Sequence, residues 1–303
     1  LPGLALPFQF PFHFQTCHFI VFHQLLNHLS SPTSTLSLHQ HIQMFQLSKR
    51  AHHGPILAAA HAHFNAFTTE APLMAGIKVI ELANVLAGPT VCQFLAELGA
   101  DVIKIENTTT QGDVTRTWQL PTEKSNDTTV TSYFSCCNVG KKSVALDLRD
   151  PRGLDIVHRM VREADIVVAS YKPGDADKLQ VDYDTLKALN PLLVYAQING
   201  YGSADARAGY DAVIQAESGF QYMNGTTSPT KMPVALVDLL AAHQLKEGIL
   251  GSMWKRERDG VGNVITVSLM QSAVSALANQ GTGFLRAHAV PQRIGSDHPS
   301  ICP

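Results

Sequence analysis

From residue 77 onward, short apolar runs alternate with amphipathic stretches of helical length, and that alternation leaves few folds open. IKVIEL (77–82), DVIKIE (101–106), SVALDL (143–148), DIVVAS (165–170), LLVYAQIN (192–199) and NVITVSL (263–269) read as strands. Helices are expected over 89–98, 152–164, 183–190, 211–220, 238–258 and 270–287. Pro89 suits the first turn of the first helix, and Gly99 suits its C-terminal cap. A strand, a helix and a strand within about thirty residues form a βαβ unit, which pairs its strands in parallel through a right-handed crossover. The strands are mainly apolar, as expected when helices cover both faces. The expected class is α/β, a Rossmann-like doubly wound parallel sheet forming a large domain over 74–287, with residues 288–303 opening a second, smaller domain.

The first 73 residues do not follow this pattern. They hold ten of the fourteen histidines and only three Lys, Arg, Asp or Glu residues: Lys49, Arg50 and Glu70. No helical or strand period is sustained there, and the most apolar stretch is broken by His18, His23 and His28, too short to span a membrane. Residues 1–73 are expected to be a disordered or targeting leader. The acid-free run after Met44 resembles a mitochondrial transit peptide, so the expected compartment is mitochondrial or cytoplasmic. The pairs His52, His53 and His61, His63 lack the spacing and the acidic or cysteine partners of a metal site. The formal net charge of −2 gives no reason to expect nucleic acid or a membrane surface as partner. Five cysteines, an odd number without C-x-x-C, argue against a disulfide framework or a zinc site.

The turn after the first strand, ANVLAGP, has one glycine where a dinucleotide fingerprint needs G-x-G-x-x-G, and Pro89 lacks an N–H for a pyrophosphate. Neither a phosphate loop G-x-x-x-x-G-K-[ST] nor a G-x-S-x-G elbow occurs. Two carboxylates attract attention. Asp238 is the only charged residue between Lys231 and Lys246, and an ionised carboxylate in an apolar run is costly unless donors satisfy it. It reads either as the cap of the helix that follows or as a nucleophile kept ionised by that helix's N-terminus. Asp211, in RAGYDAVIQAESG, reads as a cap of its own helix, with Tyr210 beside it. Lys172 and Lys178 flank a turn after a strand, at the sheet edge where ligands bind in such folds.

Taken in order, several stretches resemble the family III CoA-transferases of the CaiB/BaiF type. They are GIKVIELANVLAGPTVCQFLAELGADVIKIEN, QGDVTRTW, NVGKKSVALDLRDPRG, YKPGDADKL, NPLLVYAQINGYG, RAGYDAVIQAESG, PVALVDLLAAHQLKEGIL and QRIGSDHPSICP. The resemblance implies transfer of coenzyme A from an acyl-CoA donor to a carboxylic acid acceptor, through an aspartyl-CoA thioester on Asp238. It puts the second acid on Asp211 beside Tyr210, and the loop near the reacting end of CoA on Val85, Leu86 and Ala87. The adenine-side pair falls on Ser170 and Tyr171, and a phosphate contact on Lys178 with Leu179 beside it. It further implies no tightly bound cofactor, CoA thioester as substrate, and an interlocked homodimer.

Leu86 stands where some members of the family carry glutamine, so oxyanion support would come from backbone N–H groups, and Asn107 stands where arginine is common, which leaves one fewer charge for the CoA phosphates. Family members also run on for roughly a hundred residues more, so the expectation includes a fragment without activity of its own. The racemase branch of the family needs a histidine where this chain has Tyr210. RAGYDAV and HPSI resemble the succinyl-CoA–glutarate subgroup and imply a dicarboxylate substrate.

Overall fold

The computed structural model describes residues 72–124 and 130–301. The expected leader lies almost wholly outside them. Met74, at the start of the expected domain, is buried, and its N–H donates to the Leu98 carbonyl at 2.9 Å.

Six strands form one sheet: β1 (Lys78–Leu82), β2 (Asp101–Asn107), β3 (Lys142–Leu146), β4 (Ile166–Ala169), β5 (Val194–Asn199) and β6 (Asn263–Ser268). Their order is β3-β2-β1-β4-β5-β6, and every pairing is parallel. The helices are α1 (Ala87–Glu97), α2 (Pro121–Lys124), α3 (Ser132–Ser135), α4 (Pro151–Val161), α5 (Asp175–Lys178), α6 (Tyr183–Leu189), α7 (Asp211–Glu217), α8 (Phe220–Met223), α9 (Leu236–Asp259), α10 (Leu269–Ala276) and α11 (Ala278–Ala287). The doubly wound parallel sheet expected from the sequence is therefore present.

Its two faces follow from the two-residue period of a strand. Val79, Ile166, Val168, Val194, Ala196 and Ile198 point to one core, which α1, α9 and α10 cover with Val91, Leu95, Ala241, Leu245, Ile249 and Ala273. Ile80, Leu82, Val167, Ala169 and Tyr195 point to the other, covered by Val157 and Val161 of α4 and Leu186 of α6. Each fully buried aliphatic side chain contributes about 2 kcal/mol. β4 is buried at every position, whereas the edge strands β3 and β6 are only partly covered.

The helix ends carry legible signals. Asp150 caps α4 by accepting from the Arg152 N–H at 2.9 Å, with Pro151 in the first turn, and Asp182 caps α6 from the Thr185 N–H at 3.0 Å. The helix expected over 270–287 is instead two. α10 stops at Ala276, and Ala278 takes a left-handed φ of 46°, which breaks the run. The connection from β2 to β3 carries two 3-10 turns (Thr108–Thr110 and Val114–Thr117) as well as α2 and α3. Residues 288–301 hold neither helix nor strand.

Candidate active site

The strand order reverses between β1 and β4, and in open α/β sheets ligands bind beyond the strand C-termini at such a reversal. The loop after β1, 83–86, and the turn after β4, starting at Ser170, meet there: the Asn84 N–H donates to Ser170 Oγ at 3.0 Å. Gly88, in the first turn of α1, lets the helix start close against the residue that follows β1. A Cβ there would lie 2.4 Å from the Ala83 Cβ.

α1 and α9 lie on the same face, and both run against the strands, since each connects or precedes parallel strands. They are thus parallel to each other. Lys246 Nζ lies 4.9 Å from the centre of the Phe94 ring, and these residues sit about two turns on from Asp238 and Leu86. The N-termini of the two helices therefore reach the same edge of the sheet, where Val85, Leu86, Ala87, Ser170 and Asp238 gather.

Asp238 is not the cap of α9. The helix begins at Leu236, so Asp238 stands inside its first turn, and the N-cap residue, Ala235, makes no side-chain bond. The cap comes from Asp211, whose Oδ1 accepts from the Val237 N–H at 2.7 Å and the Asp238 N–H at 3.4 Å. Asp211 therefore caps α9, not its own helix, α7, whose N-cap is Tyr210 without a side-chain bond. Gln215, one turn on in α7, donates from Nε2 to Asp211 Oδ2 at 2.6 Å and accepts at Oε1 from the Met232 N–H at 2.9 Å. A near-contact of backbones aims this assembly: a Cβ on Gly200, after β5, would stand 2.6 Å from the Gly209 Cα, just before Tyr210.

No donor among the described residues reaches the Asp238 carboxylate. Burial first, and the Asp211 charge second, push its carboxyl up to about 7. The helix N-terminus, expected to keep Asp238 ionised, is thus opposed by burial and by the Asp211 charge. Tyr133 of α3 belongs to the same neighbourhood, since burial and then the Asp238 charge push its phenol up to about 12. The Cys137 thiol, one turn further, donates to the Val85 carbonyl at 3.4 Å. Val85 has φ 71°, rare for a β-branched residue. Its N–H donates to both oxygens of the buried Asp113, at 3.1 and 3.3 Å.

The other expected site residues are more dispersed. Tyr210 is 61% exposed. Tyr171 packs against the second core, and burial raises its phenol to about 12. Leu179 packs there too. Lys178 is exposed at the sheet's C-terminal side with Nζ 2.8 Å from Asp175 Oδ1, so part of its charge is already matched. Sequence reading overlooked Asp113, Tyr133, Cys137 and Gln215. Locally, Asp113 is an N-cap of the 3-10 turn Val114–Thr117, and nothing in its own segment announces the reach to Val85.

Among the described residues no group of three His, Cys, Asp or Glu is placed to hold a metal ion, and no helix is long and apolar enough to cross a membrane.

A sequence profile of the CoA-transferase family III matches residues 74–303. The succinate–glutarate CoA-transferase of Agrobacterium fabrum is 39% identical over 239 residues, covering 77% of this chain and 60% of its own length. Human succinyl-CoA:glutarate CoA-transferase is 33% identical over 233 residues, covering 75% and 52%. The crystal structure of a CAIB/BAIF family protein from Brucella suis superposes with a TM-score of 0.70 at 38% identity, covering 77% of this chain and 63% of that one. The chain spans about half to three fifths of the length of these curated relatives.

Proposed function

The chain belongs to the CoA-transferase family III, and on that premise we propose that it moves coenzyme A from an acyl-CoA to a carboxylic acid with Asp238 as nucleophile. One observation carries this reading: a carboxylate buried in an apolar first turn, approached by no donor among the described residues, beside a second acid that holds the backbone rather than the carboxylate. Such a group is poorly solvated and keen to share its charge, which suits attack on a thioester.

The ionised Asp238 oxygen attacks the thioester carbon, the C–S bond breaks, CoA leaves as thiolate, and a mixed anhydride between Asp238 and the donor acyl group remains. The thiolate attacks the Asp238 carboxyl carbon and expels the donor acid, giving the aspartyl-CoA thioester. The acceptor carboxylate then attacks that carbon and CoA thiolate leaves again. The thiolate finally takes the acceptor's acyl carbon, which restores Asp238. No net proton is consumed, and the thioester's energy stays in the site.

CoA would lie along the β1/β4 reversal. Its thioester end meets Val85, Leu86 and Ala87, its adenine lies by Ser170 and Tyr171, and its phosphates lie by Lys178 and Leu179. The amides at the start of α1 supply donors where Leu86 offers no side-chain one. Asp211 and Tyr210 flank the nucleophile. Tyr210 in place of a histidine base disfavours racemase chemistry. The relatives named for succinate and glutarate support a dicarboxylic donor and acceptor. A homodimer, and a mitochondrial or cytoplasmic setting, complete the proposal.

The test is to incubate the protein with succinyl-CoA, trap with hydroxylamine or borohydride, and map the adduct by mass spectrometry. An adduct on Asp238, absent in Asp238→Ala, is expected. Turnover with the adduct on another residue, or turnover retained by Asp238→Ala, would overturn the assignment.

A further inference from the structure

The loop between β1 and α1 is held at almost every peptide. The Ala83 carbonyl accepts from Lys104 Nζ at 2.7 Å. The Asn84 N–H goes to Ser170 Oγ, the Val85 N–H to Asp113 and the Leu86 carbonyl to the Thr90 N–H at 2.8 Å. Asp113 Oδ2 and Lys104 Nζ are themselves an ion pair at 3.0 Å, and both side chains are fully buried. One ion pair thus grips two backbone groups, one on each side of Asn84. The remaining Asp113 valences are filled as well. Oδ1 accepts from the Thr115 N–H at 3.0 Å and Thr115 Oγ1 at 2.8 Å, and the Asp113 N–H donates to Glu106 Oε2 at 2.9 Å.

A carboxylate secured from this many directions has almost no freedom to move. It faces the one residue of the loop whose backbone resists its conformation, since a β-branched side chain at positive φ is strained. Such strain persists only where the surroundings impose it. Relaxing Val85 to negative φ would swing the next peptides, Leu86 and Ala87, whose N–H groups open α1 toward the site.

We infer that Asp113, backed by Lys104, is a positioning residue for CoA transfer: it holds Val85 in the left-handed conformation that aims the Leu86 and Ala87 amides at the reacting thioester. This rests on the transfer reading above. Asp113 touches neither substrate nor Asp238 in this role, so its effect falls on the rate at saturating substrate more than on binding.

Two measurements test it. In the unaltered protein, hydrogen exchange resolved to single amides should find Val85 among the strongly protected sites and Leu86 exchanging faster. A rapidly exchanging Val85 amide would overturn the clamp, whether or not the protein transfers CoA. In the transfer assay, Asp113→Asn should lower kcat on the order of tenfold or more while KM for the acyl donor moves less than about threefold. Val85→Gly, which adopts positive φ freely, should recover most of that loss when combined with Asp113→Asn. A kcat unchanged in Asp113→Asn, or a double variant no faster than Asp113→Asn, would sink the inference. If Asp113→Asn does not fold, the Val85 exchange result decides alone. An unaltered protein that transfers no CoA would refute the functional reading and leave the exchange result standing.

Discussion

Asp238 carries a carboxyl that is half protonated near neutral pH, because burial and the Asp211 charge both disfavour the ion. Attack on a thioester needs the ionised form, so the acylation step should rise with pH through a midpoint near 7, read as single-turnover CoA release. Asp211→Asn removes one of the two causes while leaving an oxygen to accept from the Val237 N–H. It should shift that midpoint to lower pH; a midpoint unmoved by the substitution would mean that Asp211 does not act through its charge. The same carboxyl bears on stability. Its folded value lies above the ordinary value of about 3.9, so between the two the folded state keeps a proton that the unfolded chain has lost. Stability from this group therefore falls as pH rises across that window. Asp238→Asn should make the protein more stable at pH 8, by at most about 4 kcal/mol, with the gain shrinking toward pH 5 in urea titrations. A gain independent of pH would show that Asp238 titrates as an ordinary aspartate. The sequence marked Asp238 because charge inside an apolar run is expensive wherever it occurs, and Asp211 as a cap at the start of a helix. It did not reveal that one caps the helix of the other, since that bond joins residues 26 positions apart.

At the level of elements, the site depends on how closely backbones approach. Gly200 and Gly209 face each other with no room for a side chain, and this contact fixes where α7 begins and hence where Asp211 points. Gly209→Ala would place a Cβ 2.2 Å from the Gly200 Cα, backbone that can yield only by moving the loop. A loss of about 1–3 kcal/mol is expected in thermal or urea unfolding, together with lower activity. Gly251, exposed in the middle of α9 with nothing near its missing Cβ, is the contrasting case. Gly251→Ala should stabilise by up to about 1 kcal/mol through helix propensity alone, leaving activity unchanged. If both substitutions had the same sign, the close approach at Gly200 would not govern this loop. The elements themselves were largely legible, because strands buried on both faces and helices with one apolar stripe leave period-two and period-3.6 patterns. The break at Ala278 was not, because neither proline nor glycine marks that position and a left-handed alanine follows from packing rather than local preference.

Across the whole molecule, parallel pairing and the doubly wound form follow from the alternation of elements, but the buried charges beneath the site do not. Glu81 of β1, Lys104 of β2, Asp113 and Lys141 come from separate parts of the chain and are all buried. In sequence they look like ordinary charges in otherwise apolar strands or at loop ends. In space they balance. Lys104 Nζ lies 2.8 Å from Glu81 Oε1, Lys141 Nζ lies 2.7 Å from Glu81 Oε2, and Asp113 completes the set on Lys104. Lys141 Nζ also donates to the Pro89 carbonyl at 2.9 Å and to Asn138 Oδ1 at 2.9 Å. The quartet therefore ties two strands, the first turn of α1 and the approach to β3 into one neutral block under the reactive edge. Ion pairs at this depth recover little more than the cost of stripping water from them, yet removing one partner strands the other. Lys141→Met should cost about 3–5 kcal/mol in urea unfolding. Combining it with Glu81→Gln should cost less than the two single changes together, because the second substitution removes the charge that the first left exposed. The double variant still leaves Lys104 facing Asp113, so it should fold while releasing the Pro89 carbonyl at the start of α1. Strict additivity of the two losses would mean that these charges stabilise the fold independently and do not act as a block.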